Sequence, residues 1–263
     1  MIYKTDYHVH TEYSDGKAGP EEFVESAINA GLNEIGFSEH LNLRFNDLDW
    51  CIEHSRIPEY LKHIASLKKS TDKILVRTGF EVDYFPGQEK EVYDFLSPLK
   101  LDYVIGSVHF IGDLTVDNSE EFYRGRDIDR LYTEYFDIVC EAVASGLFDF
   151  IAHPDLIKIF GFRYSRDPLP LYRHLAEKMA RHDVAFEINT NGKNKPVGEF
   201  YPDARFLHVF RKAGVPVCVN SDAHYPARVG ENFDSAYKIL KAAGYNEMCT
   251  FRNRERYLVP VQF

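Results

Sequence analysis

Thr5-Asp6-Tyr7-His8-Val9-His10-Thr11, followed after two residues by Ser14-Asp15-Gly16, is the stretch from which the fold is read. It has the composition of a strand, and residues two apart on a strand point to the same face. His8 and His10 can therefore present both imidazoles to one ion. An isolated His-x-His pair also suits an ordinary solvated strand. The same spacing returns near the other end of the chain, however, where Asp222-Ala223-His224 follows the apolar run at 215–219. Two such pairs, each at the end of a strand, point to one architecture that brings strand ends together.

Working outward, short β-like runs alternate with amphipathic stretches along the chain. Strands are expected at 3–9, 34–37, 74–81, 103–108, 148–152, 185–189 and 216–220, and helices at 20–30, 58–69, 89–96, 127–144, 169–182, 204–213 and 235–243. The first helix shows why. Pro20 suits a first turn, Glu21 and Glu22 sit at its positive end, and Gly31 can stop it. Seven βα units without a linker, repeat or low-complexity segment predict an α/β fold, a distorted (β/α)7 barrel forming one domain over residues 1–263. Barrel chemistry gathers at the C-terminal ends of the strands.

Each remaining strand end adds a donor: His40 in Ser-Glu-His, Glu81 in Gly-Phe-Glu-Val-Asp, His109 in Ser-Val-His and His153 in Ala-His-Pro-Asp. Six of the eleven histidines thus fall at strand ends; His54, His63, His174, His182 and His208 do not and are read as structural or surface residues. With Asp15, Asp222 and His224 the donors are too many for one tetrahedral ion. They imply two or three divalent ions, with Glu81 as the carboxylate bridge. Mixed imidazole and carboxylate suits Zn, Fe or Mn. Asp83 and Asp155 lie where an acceptor would orient a histidine N–H, or where a basic neighbour would form a salt bridge. Phe45, Trp50, Tyr84, Phe110 and Tyr225 are available as an aromatic wall, but aromatic residues are too common here for any to be assigned.

Composition bounds the rest. A chain of 263 residues with 44% apolar content can bury a large core, and a formal charge of -10 argues against a long nucleic acid as partner while leaving room for a small phosphorylated molecule. Cys51, Cys140, Cys218 and Cys249 form no CxxC pair, so reduced thiols are expected. No signal peptide or membrane span is visible, and a cytoplasmic location is expected. Composition does not set the oligomeric state.

The run His8-Val9-His10-Thr11 and Ser14-Asp15-Gly16, with Glu81, His109, His153 and Ser221-Asp222-Ala223-His224, resembles the PHP (polymerase and histidinol phosphatase) family across nearly the whole chain. The compact length without a polymerase module is similar to its histidinol-phosphate phosphatase branch. The resemblance implies a distorted (β/α)7 barrel with a trinuclear site: one ion on His8, His10, Glu81 and Asp222, a second on Glu81, His109 and His153, and a third on Asp15, His40 and His224. It implies a metal-dependent phosphomonoesterase acting on L-histidinol phosphate in histidine biosynthesis. A hydroxide between two ions would attack phosphorus, with Glu81, Asp222 and His224 as catalytic residues and His224 or Asp222 protonating the leaving group. Arg163, Lys193, Lys195 and Arg228 are the candidates for phosphate binding. The family pattern has a Gly-Leu-Arg-Lys-Pro-like run where this chain reads Gly192-Lys193-Asn194-Lys195-Pro196, so Lys193 or Lys195 is expected to replace that arginine. The competing readings are phosphoester hydrolysis of a nucleotide, short oligonucleotide or phosphotyrosine, and a metal-binding module without turnover.

Overall fold

The computed structural model describes residues 2–45 and 47–261. Seven parallel strands follow one another around a nearly closed barrel in chain order: Thr5–Asp6, Glu34–Leu41, Leu75–Asp83, Ile105–Ser107, Phe150–Ile151, Ala185–Asn189 and Val217–Asn220. The expected (β/α)7 architecture is present. Its distortion lies in the unequal strands, since the second is eight residues and the third nine, whereas the first and fifth are only two. Every residue of the second strand is buried, as befits a sheet covered on both faces.

The first strand is shorter than the expected 3–9 because side chains take over part of its pairing. Tyr7 N–H donates to Asn220 Oδ1 at 2.8 Å, Val9 N–H donates to the Ser38 hydroxyl at 3.2 Å, and Val9 O accepts from Ser38 N–H at 2.9 Å. Closure between the first and last strands then comes from a parallel bridge between Val9 and Ala223, where His10 N–H donates to Ala223 O and Ala223 N–H to His8 O. The two sequence pairs that open and close the chain are thus joined through the backbone between their members.

The helices Pro20–Asn29, Ile57–Ser70, Glu89–Leu96, Ile128–Ala144, Leu169–His182, Leu207–Ala213 and Phe233–Ala242 cover the barrel. Their apolar faces, such as Phe23, Val24 and Ala27 on the first, join the main core. Among the described residues no helix is long and apolar enough to cross a membrane.

Two features were not anticipated. A short hairpin of Phe110–Ile111 and Leu114–Thr115 follows the fourth strand, and a longer one of Glu247–Arg252 and Glu255–Pro260 ends the described chain. Asn253 and Arg254 turn the longer hairpin with φ 52° and 64°, the left-handed pair that a tight two-residue loop requires. Its Phe251 packs within the barrel on Phe150 and Tyr7, at ring centroid distances of 5.2 and 5.6 Å. Tyr103 fills the adjoining space and donates from its hydroxyl to Tyr7 O at 2.7 Å. There is room for that ring only because two strands carry glycine beside it. A Cβ on Gly36 would lie 2.4 Å from the Tyr103 hydroxyl, and one on Gly79 would lie 2.5 Å from its ring. Gly79→Ala is therefore expected to overpack the barrel and cost about 1–3 kcal/mol in denaturant unfolding, and unchanged stability would refute this account of the packing.

Candidate metal centre

All nine sequence-predicted donors converge at the barrel mouth: eight lie at or just beyond a strand end, and Asp15 reaches it from the turn at 11–16 that follows the first strand. Around Glu81 Oε2, His8 Nε2 stands at 3.1 Å and His10 Nε2 at 3.5 Å, while Asp222 Oδ1 is 3.7 Å from His8 Nε2 and 3.5 Å from His10 Nε2. Donors bound at about 2.1 Å in a tetrahedron lie about 3.4 Å apart, so these four atoms have the spacing of a first coordination shell. Glu81 Oε1 faces the other way, 3.0 Å from His153 Nε2 and 3.7 Å from His109 Nε2. A third group forms beside them. Asp15 Oδ2 is 3.2 Å from His224 Nε2 and Asp15 Oδ1 is 3.8 Å from His40 Nε2, and the His10 ring stacks on each of His40 and His224. His40 belongs to two groups, since its Nδ1 also lies 2.8 Å from Glu81 Oε2.

The donor atoms suit ions better than hydrogen bonds. His8 Nε2, His10 Nε2, Glu81 Oε2 and Asp15 Oδ1 are buried with no hydrogen-bond partner, a state that folded proteins avoid unless the atoms bind something else. The backbone is also strained here, because His153 (φ 24°) and Asp222 (φ 52°) adopt the left-handed region that favours glycine. Such conformations cost about 1–3 kcal/mol each and cluster at functional sites.

Electrostatics agrees. Burial opposes ionisation of Glu81, but His8, His40 and His109 hold its carboxyl well below the usual range, and His8, His10 and His224 do the same for Asp222. Burial likewise disfavours charge on His109, yet Asp83 and Glu81 raise it to about 10. Burial also opposes charging of His8, but Glu187, Glu81 and Asp222 together raise it well above its ordinary value, whereas burial, with His40 and His224 beside it, pushes His10 down to about 3. The buried carboxylates demand positive charge, which protons on imidazoles supply only at the expense of ligand lone pairs. Metal binding at pH 7 should accordingly displace protons from His8 and His109. Calorimetry in buffers of different ionisation enthalpy is expected to show at least about one proton released per chain, and buffer-independent heats would contradict it.

A surrounding set of acceptors orients the imidazoles. Asp83 Oδ1 accepts from His109 Nδ1–H at 2.7 Å, one of the two alternatives open for it in the sequence. Asp155 takes the other alternative: it pairs with the buried Lys158 ammonium at 2.9 Å and accepts from Asp203 N–H, so it orients no histidine. Glu187, which sequence reasoning missed, accepts from His8 Nδ1–H at 3.0 Å, from His153 N–H at 3.0 Å and from the Asn189 and Asn220 amides at 2.8 Å. Its signal was a lone acid inside the apolar run 184–188, which must have partners to be buried. Glu187→Gln should leave the fold intact and weaken metal retention about 10–100-fold, measured by equilibrium dialysis with elemental analysis; parental affinity would dismiss the role.

The four basic candidates stand differently. Arg163 forms a two-pronged pair with Glu199 at 3.1 and 2.7 Å, and Arg228 lies 3.9 Å from Glu231. Lys193, over the Phe200 ring, and Lys195 belong to the turn whose Asn191 amide donates to Asp222 Oδ2 at 3.3 Å. Of the aromatic residues, Trp50 stands edge-on to both His40 and His109, at centroid distances of 5.0 and 5.6 Å, and Phe110 stacks behind it. His54, His63 and His208 bond to Asn42 O, Glu21 and Arg205 O, away from the donor set.

A (β/α)7 barrel whose strand ends assemble a buried set of His, Asp and Glu donors defines a metal-dependent hydrolase. The chain belongs to the PHP domain family, whose model matches residues 6–191. It is 38% identical over 256 residues to a probable histidinol-phosphatase of Deinococcus radiodurans, covering 95% of this chain and 97% of that one. It is 32% identical to the histidinol-phosphatase of Lactococcus lactis, over 94% of each chain. The crystal structure of the Lactococcus lactis histidinol phosphate phosphatase, complexed with zinc, L-histidinol and phosphate, superimposes with a TM-score of 0.86 at 27% identity, covering 98% of this chain and 100% of that one.

Proposed function

We propose that this chain is a metal-dependent phosphatase that hydrolyses L-histidinol phosphate to L-histidinol and phosphate, acting as one catalytic domain over residues 1–263. The observation that carries the reading is the division of donors by Glu81, one oxygen toward His8 and His10 and the other toward His109 and His153. The substrate follows from similarity along nearly the full length to histidinol-phosphatases. Two or three divalent ions, from Zn, Fe and Mn, are assigned to His8, His10, Glu81 and Asp222; to Glu81, His109 and His153; and to Asp15, His40 and His224. When bound, such ions lower the pKa of water from about 15.7 to about 7 and neutralise phosphoryl charge.

The chain's own residues do the rest. His8, with His10 and His224, holds Asp222 ionised against its burial, which leaves it unsuited to carry a proton, and the Asn189 and Asn191 amides donate to its Oδ2 at 3.2 and 3.3 Å. His224 has two exclusive uses, because a lone pair given to an ion leaves no proton on the same nitrogen. With three ions it is a ligand; with two, its Nε2–H beside Asp15 protonates the leaving alkoxide. Phosphate contacts are assigned to Lys193 and Lys195 in the turn next to Asp222, and to Arg163 and Arg228 when they leave their carboxylate partners. Four unpaired cysteines, three of them buried, fit a cytoplasmic enzyme.

The test is phosphate release from L-histidinol phosphate beside other small phosphomonoesters, mononucleotides and a phosphotyrosine peptide, on protein of known Mn, Fe and Zn content. At least a tenfold advantage in kcat/KM for L-histidinol phosphate is expected, about 1.4 kcal/mol of transition-state discrimination. Equal or absent turnover of it would overturn the substrate, and no phosphate release from any of them would favour a metal-binding module.

A further inference from the structure

Glu39 is fully buried and belongs to none of the donor groups. It precedes His40 on the second strand, yet its contacts lie elsewhere. Its two oxygens accept from Thr11 N–H at 3.2 and 3.1 Å, Oε1 also accepts from the Thr11 hydroxyl at 2.7 Å, and Oε2 accepts from the Ser14 hydroxyl. All of these donors belong to one turn, at 11–16. Burying a carboxylate is costly unless hydrogen bonds offset it, and the hydrogen bonds described for Glu39 all come from this turn.

The turn is built tightly around Asp15. Ser14 and Gly16 N–H both donate to Thr11 O at 3.0 Å, and a Cβ on Gly16 would lie 2.1 Å from His10 O, so only glycine lets the chain pass so close. Just beyond it, Lys17 N–H donates to His224 O at 2.8 Å. The turn therefore carries Asp15 and braces His224, two donors of the third group. None of the Glu39 hydrogen bonds described reaches His8, Glu81, His109, His153 or Asp222.

We infer that Glu39 is a positioning residue for the third ion: by clamping the 11–16 turn it holds Asp15 and His224 in register with His40. The inference rests on the three-ion reading proposed above. Its consequence is selective, because Asp15 rides on the turn itself, whereas the hydrogen bonds described for Glu39 hold none of His8, Glu81, His109, His153 and Asp222.

The test is metal stoichiometry of the full chain, by elemental analysis after equilibration at defined free Zn²⁺, together with thermal unfolding. The parent is expected to hold three ions and Glu39→Gln two, with the third retained about 10–100-fold more weakly, the scale on which supporting residues act. The double variant Thr11→Val, Ser14→Ala removes the hydroxyl donors, leaves Glu39 intact and should show the same loss; if Glu39→Gln fails to fold, the double variant decides. Three ions held at parental affinity, or all ions lost together, would overturn the inference while leaving the three-ion reading intact. A parent that holds only two ions would overturn that reading and the inference with it.

Discussion

Glu81 is a carboxylate sealed at the mouth of the barrel with imidazoles of five histidines within 4 Å of its oxygens. An isolated buried charge of this kind is prohibitively costly, so its surroundings must supply cations. That requirement explains why strand after strand ends in histidine. It also explains the outer acceptors. Glu187 and Asp83 each take the Nδ1 proton of an imidazole, His8 and His109 respectively, which turns the opposite nitrogen toward Glu81. Once His8 and His109 give up their inward protons, their lone pairs and the ionised bridge would form a donor set that metal ions satisfy.

The set exists only if the barrel closes. His8 and His10 come from the first strand and Asp222 and His224 from the segment after the last, and the Val9–Ala223 bridge seats them together. Closure is reinforced by Asp6, fully buried, whose oxygens accept from Ser221 N–H at 2.9 Å and Gly230 N–H at 3.1 Å. Metal bound across this seam would tie the first strand to the segment after the seventh and so help to hold the barrel shut. The opposite end depends on packing instead, with Tyr103 and Phe251 filling the interior.

The donors at strand ends were legible in the sequence because a two-residue period and the rule that barrel chemistry sits at strand ends together leave little choice of position, whereas Asp15, in the turn at 11–16, was legible only through the motif that resembles the PHP family. Helix positions were legible for a similar reason, and 89–96 and 169–182 agree residue for residue with Glu89–Leu96 and Leu169–His182. What was not legible depends on partners remote in sequence. Glu187 reads as one acid in a strand until His8, 179 residues away, is placed against it. The terminal hairpin was hidden because Asn253-Arg254 lacks the glycine that usually announces such a turn. Asp155 was ambiguous because its neighbour Lys158 makes the pair only when both are buried.

The basic residues pose a different problem, since a chain of net charge -10 has acids to spare for them. Arg163 is engaged by Glu199 and Arg228 faces Glu231, so an incoming phosphate must displace a carboxylate to gain either guanidinium. Both of those pairs are partly exposed, where ion pairs are worth only about 0–1 kcal/mol, and the exchange is therefore inexpensive. It yields little net attraction for the same reason. Beside Lys193 and Lys195, the other source of positive charge for a phosphate would be ions held by the donors around Glu81, where water is largely excluded. On the proposed reading, substrate recognition would be tied to the loading of the donor set: the same ions that neutralise Glu81 and Asp222 would make an acidic protein attractive to an anion.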